Sequence, residues 1–138
     1  MQRELSRGLR SKLLKYLARK RRESDKLLRE YIERLKQVIP NSVILLFGSR
    51  AKGEHLPYSD YDIAVILEKV DNKISTIEEL RKLKPRGLNL DLTIILTSEL
   101  KDKIVQEMLK NSIILYKGMK LEIQYLKRES KKQPVITL

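Results

Sequence analysis

The chain has 138 residues, 41% hydrophobic and 5% aromatic, which fits one domain with a core of leucine, isoleucine and valine. It contains no cysteine, which excludes disulfides, thiolate zinc sites and cysteine nucleophiles. The net charge of +12 comes from 30 basic and 18 acidic residues, with most of the excess in residues 1–40. The lack of a long apolar run and of a signal-peptide pattern predicts that the chain does not span a membrane, and the lack of cysteine fits a cytoplasmic protein.

A basic helix is predicted over residues 4–39. Leucines recur every four residues within residues 5–17, and a second apolar series follows within residues 28–38. The polar stretch between the two series fits either one long helix or two helices, the second capped by Ser24. Pro40 ends the pattern. The positive charge of this helix would attract polyanions such as RNA, but a solvated surface explains it equally well.

After Pro40, strands are predicted to alternate with helices. Short apolar runs with turn residues beside them predict four strands, at residues 43–47, 62–67, 88–96 and 113–116. Helices are predicted to open near residues 49–53, to span residues 74–83, and to run from a cap at Thr97 or Ser98 to about Lys110. This order predicts an α/β domain with a small sheet that helices cover on at least one face.

A phosphate site is predicted where the first strand turns into the next helix, at Gly48 and Ser49. Glycine lets the backbone approach a ligand closely, while free N–H groups at a helix start and the serine hydroxyl bind anions. Arg50 and Lys52 add positive charge nearby, although ordinary exposed charge explains them equally well. Together these four residues suit a polyphosphate.

Three aspartates form the predicted metal site. Asp60 and Asp62 lie two residues apart at the start of a strand, so their side chains share a face, where Mg²⁺ would relieve their repulsion. Asp91 lies between Leu90 and Leu92 and points away from the face of those leucines. An aspartate within an apolar strand is costly unless it is paired or bound to metal. These carboxylates therefore predict a two-metal site, against the alternatives of a surface turn and a solvent-facing strand residue.

Other polar residues near this motif favour simpler interpretations. His55 is the only histidine, and an exposed loop position is a better explanation for it than catalysis. Tyr58 and Tyr61 could stack on a base, but packing or simple exposure at the surface is favoured.

Gly48-Ser49, ten further residues, and then Asp60-Tyr61-Asp62 resemble the signature of the minimal nucleotidyltransferase family. That family belongs to the DNA polymerase β-like superfamily, and its members include antitoxins encoded beside HEPN-type toxins. The resemblance covers about residues 41–117 and implies a nucleotidyltransferase fold with a small mixed sheet of about four strands. It also implies that Gly48 and Ser49 bind the triphosphate, that Asp60 and Asp62 hold two Mg²⁺ ions, and that Asp91 binds the catalytic ion and helps deprotonate the acceptor hydroxyl.

These patterns divide the chain into a basic helical extension (residues 1–40), a nucleotidyltransferase domain (41–118) and a C-terminal tail (119–138). The leading hypothesis is a Mg²⁺-dependent enzyme that moves NMP, with AMP from ATP as the first choice, onto a protein or RNA hydroxyl. By the resemblance, the partner could be a HEPN-type toxin. The alternatives are a non-catalytic module that binds nucleotide or a partner, and a nucleic-acid-binding protein that uses the basic helix. The leucines of residues 5–17 favour docking, either onto the core or in a homo-oligomer or hetero-complex.

Overall fold

The computed structural model describes residues 7–48, 51 and 60–121. Its helices are α1 (Arg7–Val38), α2 (Lys73–Arg81) and α3 (Lys103–Leu109), with a short 3-10 helix (Thr97–Lys101) directly before α3. Its strands are β1 (Val43–Phe47), β2 (Tyr61–Leu67), β3 (Leu90–Leu96) and β4 (Ile113–Lys117). The prediction of an α/β domain with about four strands behind an N-terminal helix is confirmed.

The four strands form one mixed sheet in the order β3-β2-β1-β4. Strand β1 is antiparallel to both of its neighbours, whereas β2 and β3 are parallel. Parallel neighbours need a crossover connection, and α2 lies within the one that joins β2 to β3. The sheet is therefore of the mixed type that the family resemblance implied.

Helix α1 is one continuous helix of 32 residues, about 48 Å long at 1.5 Å per residue. It runs through the polar stretch, so Ser24 does not cap a second helix. Its last three turns lie on the sheet with fully buried side chains, which are Leu28, Tyr31, Ile32 and Leu35. Its first turns are exposed: Leu13, Leu14 and Tyr16 retain 46–60% of their accessible surface. Of the two apolar series, only the second belongs to the core.

Helices cover both faces of the sheet, because strand side chains alternate between the two faces. On one face, α1 and α2 pack on alternate residues of the strands, which include Ile44, Leu46, Ile63, Val65, Leu92 and Ile94. On the other face, α3 packs on the intervening residues, which include Val43, Leu45, Ala64, Ile66 and Ile95. The predicted alternation along β3 is confirmed, and it places Asp91 on the α3 face.

The predicted helix from Thr97 or Ser98 to Lys110 is wrong as a single element. Asp102 has an extended backbone (φ −70°, ψ 129°) that separates the 3-10 helix from α3. Its carboxylate accepts a hydrogen bond from the Ile104 N–H at 2.8 Å and so caps α3. Aspartate is more favourable at such a cap position than in the interior of a helix. The earlier turn is fixed by Glu99, which accepts from the Leu96 N–H and from Lys73 Nζ.

Tyr31 makes the stability of the fold sensitive to high pH. Its hydroxyl donates to the Leu80 carbonyl at 2.8 Å, and burial raises its pKa to about 12, against a weaker lowering by Arg81. The unfolded chain would ionise this tyrosine near pH 10. The stability that Tyr31 contributes is therefore complete below about pH 10 and is lost as the pH rises toward 12. We expect Tyr31→Phe to cost about 0.5–1.5 kcal/mol at neutral pH.

Chemical denaturation of the wild type and of Tyr31→Phe between pH 8 and pH 12 checks this prediction. Both proteins share the titration of every lysine and of the other tyrosines, so their difference isolates Tyr31. The advantage of the wild type should shrink as the pH rises. Two curves that stay parallel over this range would contradict the prediction.

Within residues 7–48, 51 and 60–121, no helix combines the length and hydropathy needed to cross a bilayer.

Candidate active site

The strand register places Asp62 and Asp91 side by side. Strands β2 and β3 are parallel, and Asp62 pairs with Asp91 across them. Across β1, Asp62 also pairs with Phe47, the last residue of that strand. Paired residues of neighbouring strands point to the same face, so Phe47, Asp62 and Asp91 form a row across the α3 face. Asp60 lies two residues before Asp62, just ahead of β2, which directs its side chain toward the same side.

The carboxylates occupy the end of this face that α3 leaves open. Helix α3 buries Leu109 against Ile66 and Ile95, which lie four residues further along their strands than Asp62 and Asp91. Four residues of strand correspond to about 13 Å. Asp62 is half-buried, and both Asp60 and Asp91 are exposed. These three aspartates, which we call the acidic row, are therefore open to solvent and to a ligand.

Asp62 is the carboxylate of this row whose pKa is shifted by its surroundings. Burial, followed by the negative charges of Asp91 and then Asp60, raises its pKa above the ordinary aspartate value. Among the described residues, no group of three or more acidic or histidine side chains is close enough together to hold a metal ion. The raised pKa of Asp62 is compatible with this spacing, because negative charges repel each other over distances longer than those between the ligands of one metal ion. A cation held among these carboxylates would remove the repulsion that Asp62 experiences.

Gly48 shapes the space beside Asp62. It follows β1 with a left-handed backbone (φ 77°), and a Cβ atom built on it would lie 2.2 Å from Oδ2 of Asp62. Only glycine leaves room for the carboxylate at this position and adopts this φ without strain. The end of β1 therefore holds its backbone directly against the carboxylate of Asp62.

Several predicted site residues lie outside the described part of the chain. They are Ser49, Arg50 and Lys52 of the predicted phosphate site, together with His55 and Tyr58. Between them, Ala51 is described as helical and is 5% exposed, within the core cluster on the α1 face. The roles of Ser49, Arg50 and Lys52 stay predictions.

Tyr61 has a contact that the sequence did not predict. It lies between the two aspartates of the motif, but its side chain points to the opposite face and is 1% exposed. Packing, one of the two roles favoured for Tyr61, is the one that the structure shows. Its hydroxyl donates a hydrogen bond to Oδ1 of Asp25 on α1. Asp25 stands in the polar stretch of the helix, 36 residues away in sequence, and no local pattern links it to the motif.

The mixed sheet that the resemblance to nucleotidyltransferases implied is present, with Asp62 and Asp91 paired across its adjacent parallel strands. The sequence model described as "Polymerase beta, Nucleotidyltransferase" matches residues 27–120. The chain therefore belongs to the polymerase β nucleotidyltransferase family. The match begins inside α1, at the turn where that helix reaches the sheet.

A solved structure supports this membership. The crystal structure of a candidate nucleotidyltransferase from Sulfolobus solfataricus superimposes with a TM-score of 0.57 and 27% sequence identity. The alignment covers 73% of this chain and 86% of that one. No curated protein matches the sequence.

Proposed function

We propose that this nucleotidyltransferase moves NMP, with AMP from ATP as the first choice, onto a hydroxyl group of a protein or an RNA. The observation that carries the proposal is the register pairing of Asp62 with Asp91 on an open face, beside the left-handed Gly48. Asp60 is the third member of the acidic set, since its charge acts on Asp62. Hard cations such as Mg²⁺ prefer carboxylate oxygens and share their coordination with substrate phosphates.

In this proposal Asp60 and Asp62 hold two Mg²⁺ ions, and Asp91 holds one of them. When bound, the ions would supply charge neutralisation at the attacking and leaving oxygens. The backbone at Gly48 and the side chain of Ser49 would bind the triphosphate just after the end of β1. Arg50 and Lys52 would add positive charge at the same end.

The proposed reaction is an in-line displacement at the α-phosphorus. The acceptor oxygen forms a bond to the α-phosphorus while the bond from that phosphorus to the bridging oxygen of the β-phosphate breaks. Pyrophosphate leaves with that oxygen. The proton of the acceptor hydroxyl passes to the carboxylate of Asp91, which is exposed and thus accessible to an acceptor.

For the acceptor we propose a partner protein, with a HEPN-type toxin as the first candidate and an antitoxin as the corresponding role. A cytoplasmic location goes with this proposal. The exposed first turns of α1 support docking, because they present Leu13, Leu14 and Tyr16 among basic residues. Like charges on two copies of this helix would oppose a homo-oligomer formed through it, so a hetero-complex is favoured.

The test is transfer of label from [α-³²P]ATP in the presence of Mg²⁺, with a HEPN-type protein or RNA as acceptor. We expect label on the acceptor with the wild type, no label with EDTA, and none with Asp60→Asn. Competition by unlabelled GTP, CTP and UTP would show the base preference.

The alternatives give different results in the same assay. Partner binding that survives Asp60→Asn, without transfer by the wild type, would identify a binding module instead of an enzyme. RNA binding that weakens steeply with salt and disappears when residues 1–22 are deleted, again without transfer, would identify a nucleic-acid-binding protein.

A further inference from the structure

A hydrogen bond joins the long helix α1 to the acidic motif, Asp60-Tyr61-Asp62. Tyr61 is the first residue of β2, and its hydroxyl donates to Oδ1 of Asp25. The ring is buried among core side chains between the sheet and the helices. The backbone N–H of Tyr61 donates to the Asn89 carbonyl at 3.2 Å, which joins this end of β2 to the residue before β3. Tyr61 is thus held by a helix on one side and by the start of the neighbouring strand on the other.

Because side chains alternate along a strand, the anchoring of Tyr61 determines where its two neighbours point. Tyr61 is directed into the core, so Asp60 and Asp62 must be directed to the opposite face, toward Asp91. Asp62 lies within the strand, but Asp60 lies just ahead of it and is exposed. A rotation or a shift of β2 at Tyr61 would therefore move both carboxylates.

Asp25 is well placed to hold this tyrosine. It lies at the turn of α1 where exposure gives way to burial: Asp25 is half-buried, and Leu28 in the next turn is fully buried. Further along the helix, the Tyr31 hydroxyl donates to the Leu80 carbonyl, and Arg34 Nη1 donates to the Leu83 carbonyl at 2.7 Å. These contacts fix α1 against the end of α2. The backbone of α1 that carries Asp25 is therefore anchored within two to three turns of this residue.

We infer that Asp25 is a positioning residue for the acidic motif, acting through the Tyr61 hydroxyl to set the arrangement of Asp60 and Asp62 around a divalent cation. The inference rests on the proposed function, since it concerns the same metal site. It adds a residue outside that site, from a helix that the sequence assigned to an extension. Groups that hydrogen-bond directly to the ligands of a metal alter its affinity by about 10- to 100-fold when they are removed. Asp25 acts through the backbone of β2, so we expect an effect at the lower end of this range.

The alternative is that this hydrogen bond only stabilises the fold. Tyr31→Phe is a matched control for that alternative, because it also removes the hydroxyl of a buried tyrosine that donates a hydrogen bond between elements. Tyr31 donates to α2 and not to a neighbour of the motif. A purely structural role for Tyr61 predicts the same behaviour for both variants.

The test measures Mn²⁺ binding to the full chain by electron paramagnetic resonance, at a temperature well below the melting point of every variant. We expect Tyr61→Phe and Asp25→Ala each to weaken Mn²⁺ binding by about tenfold. Combining the two substitutions should add little, because either one removes the same bond. Asp25→Asn should keep part of the affinity that Asp25→Ala loses, since its amide oxygen can still accept the hydrogen bond from the Tyr61 hydroxyl. Tyr31→Phe should lower the melting temperature and leave Mn²⁺ affinity unchanged.

Other outcomes overturn the inference. Variants Tyr61→Phe and Asp25→Ala that bind Mn²⁺ like the wild type, with only a lower melting temperature, would show a structural role. A wild type that binds no Mn²⁺ would refute the metal site and this role with it. A wild type that binds Mn²⁺ but transfers no label would refute the proposed activity alone, and the affinities would still decide the role of Asp25.

Discussion

Asp62→Asn is expected to lower nucleotidyl transfer by a factor of about 10³ or more and, at the same time, to raise the melting temperature of the metal-free protein. The loss of activity follows from the proposed metal site, where charge stabilisation contributes several kcal/mol and each 1.36 kcal/mol corresponds to tenfold in rate. Asparagine keeps the shape of the side chain but removes the negative charge that would hold the cation.

The gain in stability follows from the electrostatics of the acidic row. Burial and the charges of Asp91 and Asp60 raise the pKa of Asp62, so the folded protein without metal favours the protonated carboxyl more strongly than the unfolded chain does. Ionisation of this group therefore destabilises the fold once the pH exceeds its folded pKa, and the penalty disappears below the unfolded value. Since asparagine resembles the protonated form, the variant should have a higher melting temperature than the wild type at neutral pH and an equal one in acid.

The matched control is Asp71→Asn, the same substitution at an exposed position between β2 and α2. We expect it to leave both transfer and melting temperature unchanged. Differential scanning calorimetry with and without Mg²⁺ provides the second measurement, since Mg²⁺ should stabilise the wild type and not Asp62→Asn. An Asp62→Asn variant that keeps full transfer activity, or that Mg²⁺ stabilises as much as the wild type, would contradict the role assigned to Asp62.

The sequence predicted the placement of Asp91 because this depends on alternation alone. Leu90, Leu92 and Ile94 form an apolar series with period two, and such a series leaves the intervening residues on the other face of the sheet. Predicting the pairing of Asp91 with Asp62 would also require knowing that β2 and β3 are adjacent, parallel and in register. The pattern of one sequence does not fix strand order or register. The mixed sheet was implied by the family resemblance and not by the pattern.

Two features could not be predicted, for different physical reasons. The break at Asp102 depends on a local competition, in which a side-chain bond to the Ile104 N–H replaces the continuation of a helix, and the apolar spacing around it still resembled one helix. The bond from Tyr61 to Asp25 joins residues 36 positions apart. It exists only because α1 crosses the sheet where β2 begins, and neither residue carries a local pattern for that crossing. Polar residues in a helix otherwise predict only a solvated face.

Gly48→Ala is expected to impair both the fold and the proposed chemistry. The left-handed backbone at this position (φ 77°) costs about 1–2 kcal/mol for any residue with a Cβ atom. The added methyl group would also stand 2.2 Å from Oδ2 of Asp62, so the carboxylate or the end of β1 must move. Misplacing a catalytic group by about 1 Å can cost about 10² in rate. We therefore expect transfer to fall by about 10²-fold and Mn²⁺ binding to weaken, beyond the effect of the lost stability.

Gly87→Ala separates the effect of backbone strain from the effect of displacing the Asp62 carboxylate. Gly87 also has a left-handed backbone (φ 91°), but a Cβ atom there would meet only Leu27 Cδ1, at the ordinary contact distance of 3.6 Å. Its strain should therefore lower the melting temperature without any effect on Mn²⁺ affinity or transfer at temperatures where the protein stays folded. If Gly48→Ala lost stability to the same extent as Gly87→Ala and kept wild-type Mn²⁺ affinity, the carboxylate of Asp62 would not depend on the space that Gly48 leaves. The metal site would then have to be built from a different set of ligands.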